Sequence, residues 1–345
     1  MATMRAAVVS GPQAFEVQEM ETPEVQPGGV LVKVRNCGIC GSDLHFYRGE
    51  FPAAPGMRLG HEISGEIAAV GEGVDGLSAG QPVAIEPVEV CRECDFCRGG
   101  RQQLCPERKL MGTMTPGAFA EYIHVPAYIA HPLPSAIDFE VGALVEPLAV
   151  AVHGLRQVGL AKGERVAVLG SGTIGLMAVA AARALGAGDI FATARYQHQA
   201  DAAQALGATG TVEANENAVQ ELTAAFGDHL PEVVVETVGS HADTVNEAIA
   251  IARPGGRVSV LGIFAGPVSV NMTLAILKEV ELVGAITYGR PDGKSDFELA
   301  VEFAAQQADK LRQLITHRVG LDNLGEGFAT AADKTQRSIK VTVEV

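Results

Sequence analysis

The chain has no run of basic residues and no apolar stretch approaching the length of a membrane span. Against 41 Asp and Glu stand only 26 Lys and Arg, a formal charge of −15. Nucleic-acid binders draw much of their affinity from Lys and Arg meeting phosphates, so that class is set aside; the acidity is read as solubility. Gly, Glu and Arg break the apolar segments well short of the roughly 20 residues that cross a bilayer. The opening MATMRAAVVSG runs straight into a strand-like segment with no signal-peptide apolar core, so a cytoplasmic protein is expected. There is no internal repeat and no low-complexity tract. Cysteine is missing outside positions 37–105, where all six occur. In a long chain without secretory marks, clustered cysteines point to metal rather than to disulfides.

What is present is glycine, 40 in 345 residues, and an apolar fraction of 47%. That is enough for two compact domains. Residues 1 to about 135 hold short extended runs punctuated by Gly and Pro, such as 30-VLVKV-34, 63-ISGEIAAVG-71, 82-PVAIEP-87 and 119-FAEYIHV-125. Near 140 the pattern changes to helical periodicity over 140–159, interrupted by Pro147. Strands at 165–170, 189–194, 232–237 and 257–262 then alternate with helices over 173–185, 198–206 and 241–252. Continuous apolar strands alternating with amphipathic helices predict a parallel sheet covered on both faces. After about 287 come helices over 295–308 and 323–333 and a closing strand, 339-IKVTVEV-345. The expected class is α/β, a doubly wound parallel sheet inserted between two segments of a mostly-β domain.

Gly170-Ser171-Gly172-Thr173-Ile174-Gly175 lies between a strand and a helix. In that setting the glycines allow a tight turn, room for a pyrophosphate and close helix–strand packing, with the helix N-terminus facing the phosphates. The acid expected about 20 residues on, to hold the adenosine ribose, is missing. Ala194 and Arg195 stand there instead. Without a carboxylate to repel a 2′-phosphate, and with Arg195 assisted by His198, the loop is read as favouring NADP(H) over NAD(H). The alternative is NAD without the carboxylate anchor, Arg195 being a solvated strand-end charge.

Cys91, Cys94, Cys97 and Cys105 form C-x2-C-x2-C-x7-C in a Pro/Gly-bounded loop. Four thiolates so spaced suit one tetrahedral, structural zinc. A second set comprises 37-CGICGSDLH-45, 60-GHEISGE-66 and Glu146. Cys, His and carboxylate can hold zinc and leave a position for a substrate oxygen. Taken singly, each also reads as a buried Cys, a hydrogen-bonded His or a surface Glu. No thioredoxin-like pattern surrounds Cys37 and Cys40, and Cys37 is read as packing.

With these motifs in place, the chain resembles the zinc-dependent medium-chain dehydrogenases over nearly its full length. This superfamily includes alcohol, sorbitol, butanediol and threonine dehydrogenases. The resemblance rests on 60-GHEISGEIAAVGEGV-74, the four-cysteine lobe, the GSGTIG loop, 315-ITHRVGL-321 and 334-KTQRSIKV-341. It implies a GroES-like mostly-β catalytic domain over 1–150 and 287–345, with a zinc lobe at about 88–108, and a Rossmann domain over 151–286. It implies two zinc ions per chain, one catalytic and one structural. Cys40 and His61 would be ligands of the catalytic ion. Glu146 stands where the sorbitol and threonine branches have Glu, and Glu62 would be a carboxylate alternating on the metal. Ser42 would take the substrate proton, His45 would pass it toward solvent, and Asp43 would orient His61. Gly170, Gly172, Thr173, Ile174, Gly175, Ala194 and Arg195 would line the cofactor.

The resemblance further implies a small-molecule alcohol or ketone as partner and a homo-oligomer, dimer or tetramer, paired around 281–286. It departs at Ile286-Thr287, where polyol-specific relatives carry Phe-Arg, and at Phe46, where sorbitol dehydrogenases often have Tyr. Both changes remove polar anchors, so a small secondary alcohol, diol, polyol or hydroxyketone is expected as substrate. The alternatives are an NAD-linked L-threonine, sugar-acid or sugar-alcohol dehydrogenase, and a non-catalytic cofactor-binding relative. Members of the last group commonly lack the zinc ligands this chain keeps.

Overall fold

The computed structural model describes residues 2–345, and the chain divides into two compact units, Met1–Glu146 with Ala304–Val345, and Pro147–Phe303. In the first unit the strand Gly29–Gly38 is central. Val30, Val32 and Val34 are fully buried while Leu31, Lys33 and Arg35 are half-buried, the period-2 alternation of a sheet with one packed face. It pairs antiparallel with Glu62–Val70, Tyr122–Pro126 and the closing strand Lys340–Glu344. Pro82–Ile85, Ala130–Pro132 and Ile315–Gly320 extend the sheet to seven strands. Ile63, Ile67, Val83, Ile85, Phe119 and Phe328 fill the core beneath it. The rings of Phe15, Tyr47 and Phe119 all lie within 6 Å of Phe328.

The second unit holds a six-stranded sheet in which every neighbouring pair is parallel. Its spatial order is Gly210–Glu213, Ile190–Ala194, Val166–Leu169, Val233–Glu236, Arg257–Val260, Glu281–Gly284. Val166, Ala167, Val168 and Val233 to Val235 are all fully buried, as strands covered on both faces must be. The order reverses between Val166–Leu169 and Val233–Glu236, and such a switch point opens a crevice at the carboxyl ends of the strands.

Three local expectations are corrected. Pro147 does not interrupt a helix: it lies in the first turn of Val145–Gln157, where its missing N–H would have had no partner anyway. The break falls earlier, after the short helix Phe139–Gly142. The outer strand, expected around 281–286, ends at Gly284, so Ile286-Thr287 lies beyond it, with Thr287 in the left-handed region at φ +50°. Residues 287–303 belong to the second unit. The reason is Asp296, fully buried, which bonds His153 Nδ1 at 2.7 Å, accepts from Gly289 N at 2.8 Å and pairs with Arg156. These bonds fasten the segment to helix Val145–Gln157. No helix among the described residues is long and apolar enough to cross a membrane.

Candidate active site and metal centres

The strand Val166–Leu169 leads into Gly170, whose φ of +96° only glycine adopts without strain. A Cβ on Gly175 would stand 1.8 Å from Gly170 O, so the third glycine lets helix Thr173–Ala184 close onto the turn. The turn is held by Gly170 N donating to Thr193 Oγ1 at 2.7 Å and by Ser171 Oγ donating to Thr193 O at 2.8 Å. Beside it is a cavity of about 580 Å³ whose lining includes Gly170, Gly172, Arg195, Gln199 and Asn215. Thr173, Ile174, Gly175 and Ala194 are not on its wall, and neither is His198, whose ring stacks on Tyr196. Arg195 is exposed and makes no ion pair among the described residues; its guanidinium lies 5.8 Å from the Tyr196 ring centre.

Sequence reasoning missed Glu236. This fully buried carboxylate ends its strand and accepts from Val238 N, Gly239 N and Thr244 Oγ1 at 2.7–2.9 Å, which shapes the wall formed by Thr237, Val238 and Thr244. The signal was an acid closing an otherwise apolar strand, 232-EVVVET-237.

The sulfurs of Cys91, Cys94, Cys97 and Cys105 all lie within 4.8 Å of one another, and none is in a disulfide. A tetrahedron of bonds about 2.3 Å long places sulfurs roughly 3.8 Å apart. The observed 3.5 Å between Cys105 and Cys91 and 3.9 Å between Cys91 and Cys97 match that spacing. Backbone N–H groups of Glu93 and Cys94 hold the Cys91 thiol down at about 7, while burial and the neighbouring sulfurs push Cys97 up to about 12. One thiolate forms readily and the next is opposed, a conflict that a dication removes. The residues therefore fit a closed zinc site.

The second set is built on a seven-residue helix, Gly41–Tyr47. Cys40 caps its start and donates its backbone N–H to Asp43 Oδ2 at 3.0 Å. The other oxygen of Asp43 is buried without a hydrogen bond and faces His61 Nδ1, likewise unbonded, at 3.5 Å. His61 Nε2 lies 3.4 Å from Ser42 Oγ. Burial opposes charge on His61, but Asp43 and Cys40 outweigh it and raise its pKa well above the usual histidine value. An imidazole with an acid behind one nitrogen and the other turned to a thiol and a hydroxyl has the donor chemistry of a metal ligand. Glu146 is buried in the first turn of its helix, and its charge is felt at Lys340. Among the described residues only the four-cysteine group brings its ligand atoms within 4.8 Å as a set, so the Cys40, His61 and Glu146 atoms are more open.

Glu62 departs from the expected arrangement. Both its oxygens lie 2.6 Å from Lys340 Nζ, which also donates to Ile39 O at 3.1 Å. Lys340 shares the polar Lys340–Thr342–Glu344 face of the closing strand yet is buried, so strand alternation gave no sign of it. His45 Nδ1 pairs with Glu50, and among the described residues Ser42 makes no direct bond to His45. Cys37 is wholly buried in the hydrophobic core.

Comparison with known proteins agrees with this geometry. The description "Alcohol dehydrogenase GroES-like domain" matches residues 26–135, and "Zinc-binding dehydrogenase" matches 173–306. The sorbitol dehydrogenase of Bacillus subtilis (strain 168) is 32% identical over 347 residues, spanning 99% of this chain and 97% of that protein. The D-xylulose reductase of Scheffersomyces stipitis is 37% identical over 326 residues, spanning 89% and 90%. A dehydrogenase structure from Sinorhizobium meliloti 1021 bound to NADP superposes with a TM-score of 0.88 at 31% identity, covering 100% of both chains. A GroES-like unit joined to a parallel dinucleotide-binding sheet defines an oxidoreductase that moves hydride between a nicotinamide cofactor and a secondary alcohol or ketone. The chain belongs to the zinc-dependent medium-chain dehydrogenase superfamily.

Proposed function

We propose that this dehydrogenase works with NADP(H) in preference to NAD(H) on a secondary alcohol or ketone carried by a diol, polyol or hydroxyketone. The observation that carries the cofactor reading is Arg195, unpaired on the cavity wall, next to Ala194 where an acid would stand. An Arg fork matches a phosphate bidentately. A structural relative bound to NADP supports the same reading. Fluorescence titration is expected to show tighter NADPH than NADH binding, with Arg195→Glu weakening NADPH about tenfold or more. Equal affinity for the two dinucleotides in the unaltered protein would remove the preference.

In this reading Cys40, His61 and Glu146 would hold the catalytic zinc, and the four cysteines a structural one. A zinc ion there supplies Lewis acidity, which lowers an alcohol's pKa or polarises a ketone. Asp43, locked by the Cys40 N–H, orients His61. Ser42 takes the alcohol proton, and His45, steadied by Glu50, passes it toward solvent. Glu62, spent on Lys340, acts as a neighbour of the ligand set rather than a standing ligand.

A homo-oligomer belongs to the same reading. The edge strand Glu281–Gly284 exposes Leu282, and Ile276 and Leu277 on helix Met272–Lys278 are 67% and 78% exposed. Free sheet edges with apolar neighbours are normally covered. Light scattering is expected to return a dimer or tetramer, and a monomer would defeat this part.

A further inference from the structure

The inference here rests on the NADP(H) reading and concerns which side chain sets it together with Arg195. Strand Ile190–Ala194 runs into Arg195 and Tyr196, and helix Gln197–Leu206 follows at once. Arg195 and Gln199 both stand on the wall of the cavity of about 580 Å³ beside the glycine turn. Glu216 and Glu247 stand on it too. Against two carboxylates a single guanidinium leaves no excess of positive charge, so a phosphate held there needs donors beyond Arg195.

Most neutral polar side chains of that wall are already committed. Ser171 Oγ donates to Thr193 O at 2.8 Å, and the Thr193 hydroxyl accepts from Gly170 N at 2.7 Å. Thr237 Oγ1 donates to Leu169 O and Thr244 Oγ1 to Glu236, each at 2.7 Å. Asn215 is exposed, and its Oδ1 accepts from Asn217 N at 2.8 Å. Gln199 differs from all of these. It is only 8% exposed, and its carboxamide makes no hydrogen bond among the described residues. A buried amide without a protein partner is destabilising, and a ligand in the cavity that it lines can offset that. Gln199 also lies in the first turn of its helix, where backbone N–H groups and the dipole favour an anion. Tyr196, at the N-cap, supplies no side-chain acceptor to that end.

We propose that Gln199 is a specificity-determining residue of the cofactor site, its carboxamide N–H donating to the 2′-phosphate of NADP(H) beside the Arg195 fork. The sheet supports this placement. A pyrophosphate lies at the glycine turn after Val166–Leu169, and the adenosine ribose at the end of the neighbouring strand, Ile190–Ala194. Gln199 follows that second strand, four residues beyond Arg195, and so falls on the ribose side. A carboxylate at 199 would add a third acid to the wall and oppose the phosphate; the amide donates without that penalty.

The test is calorimetric titration of the zinc-loaded full-length enzyme with adenosine 2′,5′-bisphosphate and with adenosine 5′-monophosphate, which differ only in the 2′-phosphate. The bisphosphate is expected to bind the unaltered enzyme about tenfold tighter or more. Gln199→Leu should cut that ratio about fivefold and leave the monophosphate affinity in place. Gln199→Glu should cut it further, and Gln199→Arg, which restores a donor, should hold it. If Gln199→Leu does not fold, the opposed Glu and Arg variants decide the same ratio. A ratio that these substitutions leave unchanged while Arg195→Glu lowers it overturns the role of Gln199 and leaves the NADP(H) reading standing. Equal weakening of both nucleotides also overturns it, since Gln199 would then serve a group that the two share. A ratio near one in the unaltered enzyme removes the NADP(H) preference and the role of Gln199 together.

Discussion

Cys40→Ala is expected to lower kcat/KM by about a thousandfold or more, to reduce bound zinc from two ions per chain to one, and to leave the fold in place. The size follows from what is lost. Polarising the substrate oxygen is worth several kcal/mol of transition-state stabilisation, and each 1.36 kcal/mol is a factor of ten in rate. The fold survives because Cys40 serves the helix start through its backbone N–H to Asp43, which the substitution keeps. Its side chain is only half-buried. His61→Ala is a less clean probe, since it would leave the buried Asp43 oxygen without the imidazole it faces. Metal analysis, circular dichroism and steady-state kinetics on one preparation check all three parts. Retention of activity with two zinc ions still bound would remove Cys40 from the ligand set. Loss of activity with loss of fold would make its role structural.

Much of this architecture is legible in the sequence because the interactions that fix it are local or periodic. The alternation at Val30, Val32 and Val34 and the solid apolar run at 233–235 report one-face and two-face burial directly. The glycine loop and the cysteine spacing report backbone geometry and ligand geometry. Elements held by distant partners are harder to see. Gly210–Glu213 is only four residues long, with two strand formers, Thr211 and Val212, between Gly and Glu, and is fixed by parallel pairing with Ile190–Ala194. Helix Met272–Lys278 is seven residues long and its apolar residues fall on exposed as well as buried positions, so they show no one-sided helical stripe, and it goes unpredicted. Ala218–Phe226 also goes unpredicted, although Ala218, Leu222 and Phe226 are buried at helical spacing. The proposed catalytic metal site divides in the same way. Residue types at Cys40, His61 and Glu146 mark the chemistry, but that Glu62 is engaged depends on a lysine 278 positions away.

That lysine carries the second large effect. Lys340→Met is expected to destabilise the folded chain by about 3–5 kcal/mol, because it strands the carboxylate of Glu62 in the interior without a counter-charge. Both side chains are at most 2% exposed, so solvent cannot take over. The pair sits where a Cβ on Gly38 would come within 1.9 Å of Glu62 Oε2, which leaves the carboxylate little room to move toward water. The double variant Lys340→Met/Glu62→Leu is expected to recover most of the loss, since removing both charges also removes both desolvation costs. The pH dependence follows from Lys340. Burial pulls its pKa down, but Glu62, with Cys40 and Glu146, outweighs burial and raises it above the ordinary 10.5. A group whose pKa is raised by folding contributes fully below its unfolded value and loses that contribution as pH climbs through the folded one. The gap between the unaltered chain and Lys340→Met should therefore be flat through neutral pH and close only above about 10.5. Urea unfolding of the three proteins at neutral and strongly alkaline pH measures it. A single-variant loss below about 1 kcal/mol, the scale of an exposed ion pair, would show that Glu62 finds another partner when Lys340 is gone.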